Sequence, residues 1–218
     1  MRNFEIVDVF ATGPYTGNQL AVVRDAEDAT DEEMLAVAKE FGFSETTFVE
    51  SEGEKPRVRI FTPAEEVNFS GHPTLGTAAV LLEDRKEVTL DLNVGPVPVR
   101  EQEGVLWMKQ NAPEFDETRD SEAVAEVLGI DATDIDDDYP VQEVSTGLPA
   151  VIVPLETLDA VRRVSLDRDA YDDFVAGGDA KLLHVFAPEA YEDENDLNAR
   201  MFAPYYGVPE DPATGSAN

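Results

Sequence analysis

At 218 residues the chain is long enough for one large domain or two small ones with real cores, and its 42% hydrophobic content rules out a disordered acidic tail. Its 47 acidic and 16 basic residues give a net charge of −31, which leaves no basic stripe to neutralise phosphates and argues against nucleic acid as a partner. It has no cysteine, which excludes disulfides, a thiolate nucleophile and a cysteine-based metal site.

The elements follow in chain order. Residues 4–10 alternate and predict a strand, and residues 20–23 a second one after the turn Gly13-Pro14-Tyr15-Thr16-Gly17-Asn18. Met34, Leu35, Val37, Ala38 and Phe41 have helical spacing and predict a helix over 31–41, with Thr30 as N-cap and Gly42 just past its end. Strands are expected at 46–50 and 58–61. The cluster Ser70-Gly71-His72-Pro73-Thr74 leads into an apolar run that predicts a helix over 73–83, with Pro73 near its first position and Ser70 or His72 serving the cap. Short strands follow at 88–92, 97–100 and 105–109.

The pattern restarts near Asn111-Ala112-Pro113. A helix is expected over 121–128 with Gly129 after it, strands at 141–144 and 150–153, a helix over 166–175, and strands at 182–186 and 199–202. The acidic run 134–139 lacks the glycine and closing glutamate of a calcium loop and reads as a solvated face. Each half thus offers several strands and, late in the half, a small-residue helix start; the second is Asp211-Pro212-Ala213-Thr214-Gly215-Ser216. Free N–H groups at two such starts would suit a small carboxylate held between them.

Only five of the basic residues are lysine. Such an acidic surface over an ordinary core points to a protein of high-salt surroundings, where a Debye length of about 3 Å screens self-repulsion. No apolar run approaches the ~18–20 residues that cross a bilayer, and residues 1–7 carry no signal-peptide pattern. A soluble cytoplasmic protein is expected.

Few residues suit chemistry. Glu45 stands at a strand entrance with Phe43 and Phe48 nearby, so it is either a partly desolvated proton carrier or a surface glutamate at a strand end. His72, at a helix start, is either a neutral imidazole donor or a structural cap. His184 lies in an apolar strand and reads as a satisfied core histidine. Asp211, held extended by Pro212, could orient His72 or relay a proton, or be a turn carboxylate. Thr214 and Ser216 offer hydroxyls for a carboxylate or for capping, and Gly71 and Gly215 permit close backbone approach.

Five segments together carry a resemblance. They are Gly17-Asn18-Gln19-Leu20-Ala21-Val22-Val23, Ser44-Glu45-Thr46-Thr47-Phe48-Val49, Arg59-Ile60-Phe61-Thr62-Pro63, Ser70-Gly71-His72-Pro73-Thr74-Leu75-Gly76 and Glu210-Asp211-Pro212-Ala213-Thr214-Gly215-Ser216-Ala217-Asn218. In this order the chain resembles the phenazine-biosynthesis (PhzF-like) isomerase family, with Gln19 where many members have proline. The resemblance implies an α+β, diaminopimelate-epimerase-like fold of two similar domains, 1–112 and 113–218. Each would be a β-barrel-like sheet around a central helix, the first of them 73–83. It further implies some tens of residues beyond the last motif, so the second domain is expected to lack its helix after Asn218.

The family's cleft would place Glu45, His72 and Asp211 as catalytic groups, and Asn18, Ser70, Gly71, Thr214, Gly215 and Ser216 around the substrate. Ser70 and Thr214 stand where related epimerases carry a cysteine pair, which excludes two-thiol epimerisation. The implied activity is that of an isomerase acting on a small carboxylate without cofactor or metal, in a homodimer that engages neither nucleic acid nor membrane. A racemase or epimerase with a carboxylate pair, or a non-catalytic small-molecule-binding protein, are the alternatives.

Overall fold

The computed structural model describes residues 2–215 as a mixed α+β fold of two curled sheets. The first contains β1 (Phe4–Val9), β2 (Asn18–Val23), β3 (Glu45–Ser51), β4 (Arg57–Phe61), β5 (Glu66–Val67), β6 (Glu87–Leu92), β7 (Gly95–Gln102) and β8 (Val105–Met108). Its order is β1-β2-β3-β4-β6-β7-β8, with β5 beside β4. Two connections are parallel crossovers, β2 to β3 through helix α1 (Asp31–Phe41) and β4 to β6 through helix α2 (Gly71–Leu82). Parallel strands are covered on both faces, which explains the unbroken buried run Leu20-Ala21-Val22-Val23 in β2.

The α1 helix follows its sequence signals closely. Thr30 and Glu33 form a reciprocal capping box, and Gly42 takes the left-handed conformation (φ 66°) behind the last turn. Met34 and Ala38 pack on Val23, Phe48 and Phe61, on one face of the sheet. The opposite face holds α2, which is apolar nearly all round and therefore sits in the core. Its Ala78, Leu81 and Leu82 join Leu20, Val22, Ile60 and Leu90. Gly76 lets α2 come that close, since a Cβ there would lie 2.6 Å from Leu20 Cδ2 and 2.8 Å from Val9 Cγ2.

The α2 helix begins at Gly71, two residues before the expected Pro73. Ser70 is the N-cap by backbone geometry, yet its hydroxyl makes no cap bond. The reason is tertiary, because that hydroxyl donates to Glu45 instead.

The second sheet runs in the order β14-β13-β12-β11-β10-β9. Its strands are β9 (Glu114–Thr118), β10 (Gln142–Ser145), β11 (Pro149–Pro154), β12 (Leu182–Ala187), β13 (Asn198–Ala203) and β14 (Val208–Asp211). All pairs are antiparallel except β11 with β12. Helices α3 (Ser121–Leu128), α4 (Leu158–Arg163) and α5 (Arg168–Val175) cover one face through Val151, Val153, Leu183, Val185 and Phe202. The alternate residues Ala150, Leu182, Met201 and Ala203 face the other way and join the core around α2. The two sheets therefore share one apolar cluster.

Four elements lie outside the sequence expectations. β5 has two residues and α4 six, too short for a periodicity. β9 (EFDET) is exposed throughout, so no half-buried alternation marks it. β14 contains Pro209, which argues against a strand, but β14 is the edge of its sheet, where a missing N–H is tolerated. Helix α5 starts at Arg168 rather than 166, capped by the Asp167 carboxylate on the Ala170 N–H. In the acidic run 134–139, Asp134 pairs with Arg163 and residues 137–139 are exposed.

Candidate active site

Several elements end at one place. Asn18 opens β2, Glu45 opens the parallel β3, and Gly71-His72 opens α2. Asp211, the last residue of β14, arrives from the other sheet. The juxtaposition is sealed by hydrogen bonds that span almost the whole chain: Asn18 Nδ2 donates to Asp211 Oδ1 (2.7 Å) and to the Ala213 carbonyl (2.9 Å). Ser44 Oγ also donates to Asp211 Oδ1 (2.6 Å), and Thr214 Oγ1 donates to Oδ2 (2.5 Å). Gln110 Nε2 holds the Gly215 carbonyl at 3.0 Å.

Glu45 faces this cluster. Its Oε1 accepts from Ser70 Oγ at 2.9 Å, and its Oε2 lies 3.4 Å from His72 Nδ1. Burial above all, then the negative charge of Asp211, pushes the Glu45 carboxyl up from 4.5 to about 8, against the pull of the Ser70 bond. Burial pushes His72 down to about 4, although Asp211 pulls the other way. At neutral pH the carboxyl is mostly protonated and the imidazole neutral, so their contact is not an ion pair. The pair sets a proton on an acid beside an uncharged acceptor.

The surroundings of Glu45 correct one expectation. Phe43 and Phe48 do not desolvate it: Phe43 stacks on Phe41, and Phe48 points to the opposite face of the sheet, against Phe61. The desolvating wall comes from the second half, with Leu148, Leu182, Met201, Ala203 and Tyr206 around a cavity of about 30 Å³. Among the described residues no lysine or arginine lines it. A larger hollow of about 520 Å³ adjoins it, sharing Met201, Asp211, Thr214 and Gly215.

The structure brings Asn18, Glu45, Ser70, His72, Asp211 and Thr214 together. Gly71 and Gly215 border the outer hollow. Ser216, expected at the substrate carboxylate, lies outside the described residues; of the expected second helix start, Asp211 ends β14 and residues 212–215 form no helix. Two contributors were missed. Ser44 was quoted only as a neighbour of Glu45, although its serine type beside a buried carboxylate was a usable signal; Gln110 carried none. His184 is buried as expected but is not satisfied, since its Nδ1 has no hydrogen-bond partner among the described residues. Among those residues no group of three or more His, Asp or Glu side chains is arranged to hold a metal ion.

The sequence and the fold resemble those of known proteins. The chain is 33% identical over 232 residues to an uncharacterized isomerase, YfhB, of Bacillus subtilis, covering 100% of this chain and 79% of the relative. It is 35% identical over 228 residues to the trans-2,3-dihydro-3-hydroxyanthranilate isomerase of Pseudomonas aeruginosa, covering 100% and 77%. The crystal structure of a PhzF-family phenazine biosynthesis protein from Bacillus anthracis superposes with a TM-score of 0.84 at 31% identity, covering 99% of this chain and 77% of that one. A hydroxyproline epimerase from Agrobacterium vitis, at 9% identity and a TM-score of 0.54 over 98% and 74% of the two chains, shares the fold alone. The family model for phenazine biosynthesis-like proteins matches residues 7–218, and the chain belongs to that family of isomerases.

Proposed function

We propose that Glu45 is the proton carrier of a cofactor-independent isomerisation of a small, conjugated carboxylate of the trans-2,3-dihydro-3-hydroxyanthranilate class. One observation carries this: the carboxyl is buried beside a neutral His72 and a charged Asp211, with a proton affinity poised near neutrality. A group titrating near 8 holds both of its forms around pH 7. In the carboxylate form it takes a proton from a substrate carbon, the electron pair moves along the conjugated system, and the same carboxyl returns the proton at its far end. Atoms and charge balance without a redox partner.

In this reading His72 and Asp211 orient the carboxyl and polarise the substrate. Gly71 and Gly215, with Ser216, hold the substrate carboxylate at the helix start, where N–H groups favour an anion, while the Ser70 and Thr214 hydroxyls stay on Glu45 and Asp211. The two sheets are then the cores of two domains, 1–112 and 113–218, and the substrate lies between them. The absence of thiols at Ser70 and Thr214 favours isomerisation over a two-base epimerisation.

The test is turnover of trans-2,3-dihydro-3-hydroxyanthranilate in D₂O, followed by proton NMR. Wild type should relocate the double bonds, and Glu45→Gln should slow this by about 10² or more. Near-normal turnover by Glu45→Gln would refute the assignment. Exchange at one stereocentre with the double bonds unmoved would mark an epimerase, and line broadening without product a binding protein.

A further inference from the structure

Asp211 is bound in a manner that a shared active-site carboxyl does not require. Two donors from the first half of the chain, the Ser44 hydroxyl and the Asn18 amide, converge on the same oxygen, Oδ1, at 2.6 and 2.7 Å. Thr214 takes the other oxygen. The second amide hydrogen of Asn18 goes to the Ala213 carbonyl. Asn18 is 1% exposed and both its donors are engaged by protein, so it has none to offer a substrate. Three donors on two oxygens suit an anion.

The groups facing this carboxylate are few. Glu45 comes from β3 and His72 from α2. On the outer side His184 of β12 and Arg200 of β13 border the same hollow, and Arg200 is bound to Glu210. Among the described residues no lysine or arginine lines the inner cavity to compete for Asp211.

We propose that Ser44 and Asn18 are positioning residues that fix Asp211 as the charged member of the Glu45–Asp211 pair, so that the single transferable proton rests on Glu45. The donors decide which of two nearby carboxyls is the acid. This deepens the role proposed for Glu45 and rests on it, but it is measurable without any substrate.

The experiment is a pH titration of side-chain carboxyl carbons by ¹³C NMR in wild type, Ser44→Ala and Ser44→Thr. In wild type the Glu45 signal should titrate well above the ordinary glutamate range. In Ser44→Ala the Glu45 midpoint should fall by about one pH unit, because a loosened Asp211 no longer holds its charge against it. Ser44→Thr keeps the hydroxyl and should restore the wild-type curve. An unchanged Glu45 curve in folded Ser44→Ala would overturn the proposal. So would a wild-type titration in which Asp211 is protonated while Glu45 is ionised, a result that needs no variant to fold. Failure of the protein to turn over dihydrohydroxyanthranilate would count against the isomerase proposal only and leave the titration decisive.

Discussion

Replacing Glu45 by glutamine should alter how the stability of this protein depends on pH. In the folded state the carboxyl holds its proton up to about 8, against an ordinary value of 4.5. A raised folded value means that the folded state binds the proton more tightly than the unfolded chain does. The group's stabilising contribution is therefore complete below about pH 4.5 and is lost as pH rises towards 8. At about 1.4 kcal/mol per tenfold in proton affinity, that interval amounts to on the order of 5 kcal/mol. Glutamine keeps the shape and cannot ionise, so the variant lacks this slope. Thermal unfolding of both proteins, at fixed molar potassium chloride and pH 5 to 9, should show the variant gaining on wild type as pH rises. For a chain of this size the gain should reach on the order of 10–20 °C in Tm. Contributions from groups that do not interact with Glu45 cancel in the difference. Parallel curves for the two proteins would show that Glu45 ionises at an ordinary pH and would remove the physical basis of its proposed role.

Other tests are independent of that one. His184, pushed to about 4 by burial, should lower stability as pH falls from 6.5 to 4, by on the order of 3 kcal/mol, and His184→Leu should flatten that acid limb; an unchanged limb would mean that the imidazole is not held neutral. Gly76→Ala should cost about 1–3 kcal/mol in chemical unfolding, because its methyl would overlap the side chains of the fully buried Leu20 and the partly buried Val9; wild-type stability would show that α2 can lift off the sheet freely. The net charge of −31 should make the melting temperature rise between dilute buffer and molar potassium chloride. A flat response would count against a high-salt origin.

What could be read from residues alone was local. The Thr30–Glu33 capping box and Gly42 fix both ends of α1, and the small-residue stretch 70–76 fixes a buried helix, because caps and periodicity act within a few residues. Ser70 shows where such reasoning fails. A serine at a helix start caps by default, but here a carboxylate 25 positions away takes its hydroxyl. The desolvation of Glu45 was anticipated for a wrong reason: Phe43 and Phe48 are neighbours in sequence, while Leu182 and Met201 are neighbours in space. β14 was invisible because Pro209 forbids an interior strand but not an edge.

The bond between Asn18 and Asp211 joins positions 193 residues apart. At ribosomal rates of about 5–20 residues per second, the two would emerge roughly 10–40 s apart. Throughout that interval the nascent first half can build β2, β3 and α2 but has neither the apolar wall around Glu45 nor the carboxylate opposite it. Its glutamate then remains hydrated and acidic, like any at the surface. The proton-transfer capacity proposed for Glu45 would thus be a property of the finished fold, acquired at this long-range closure.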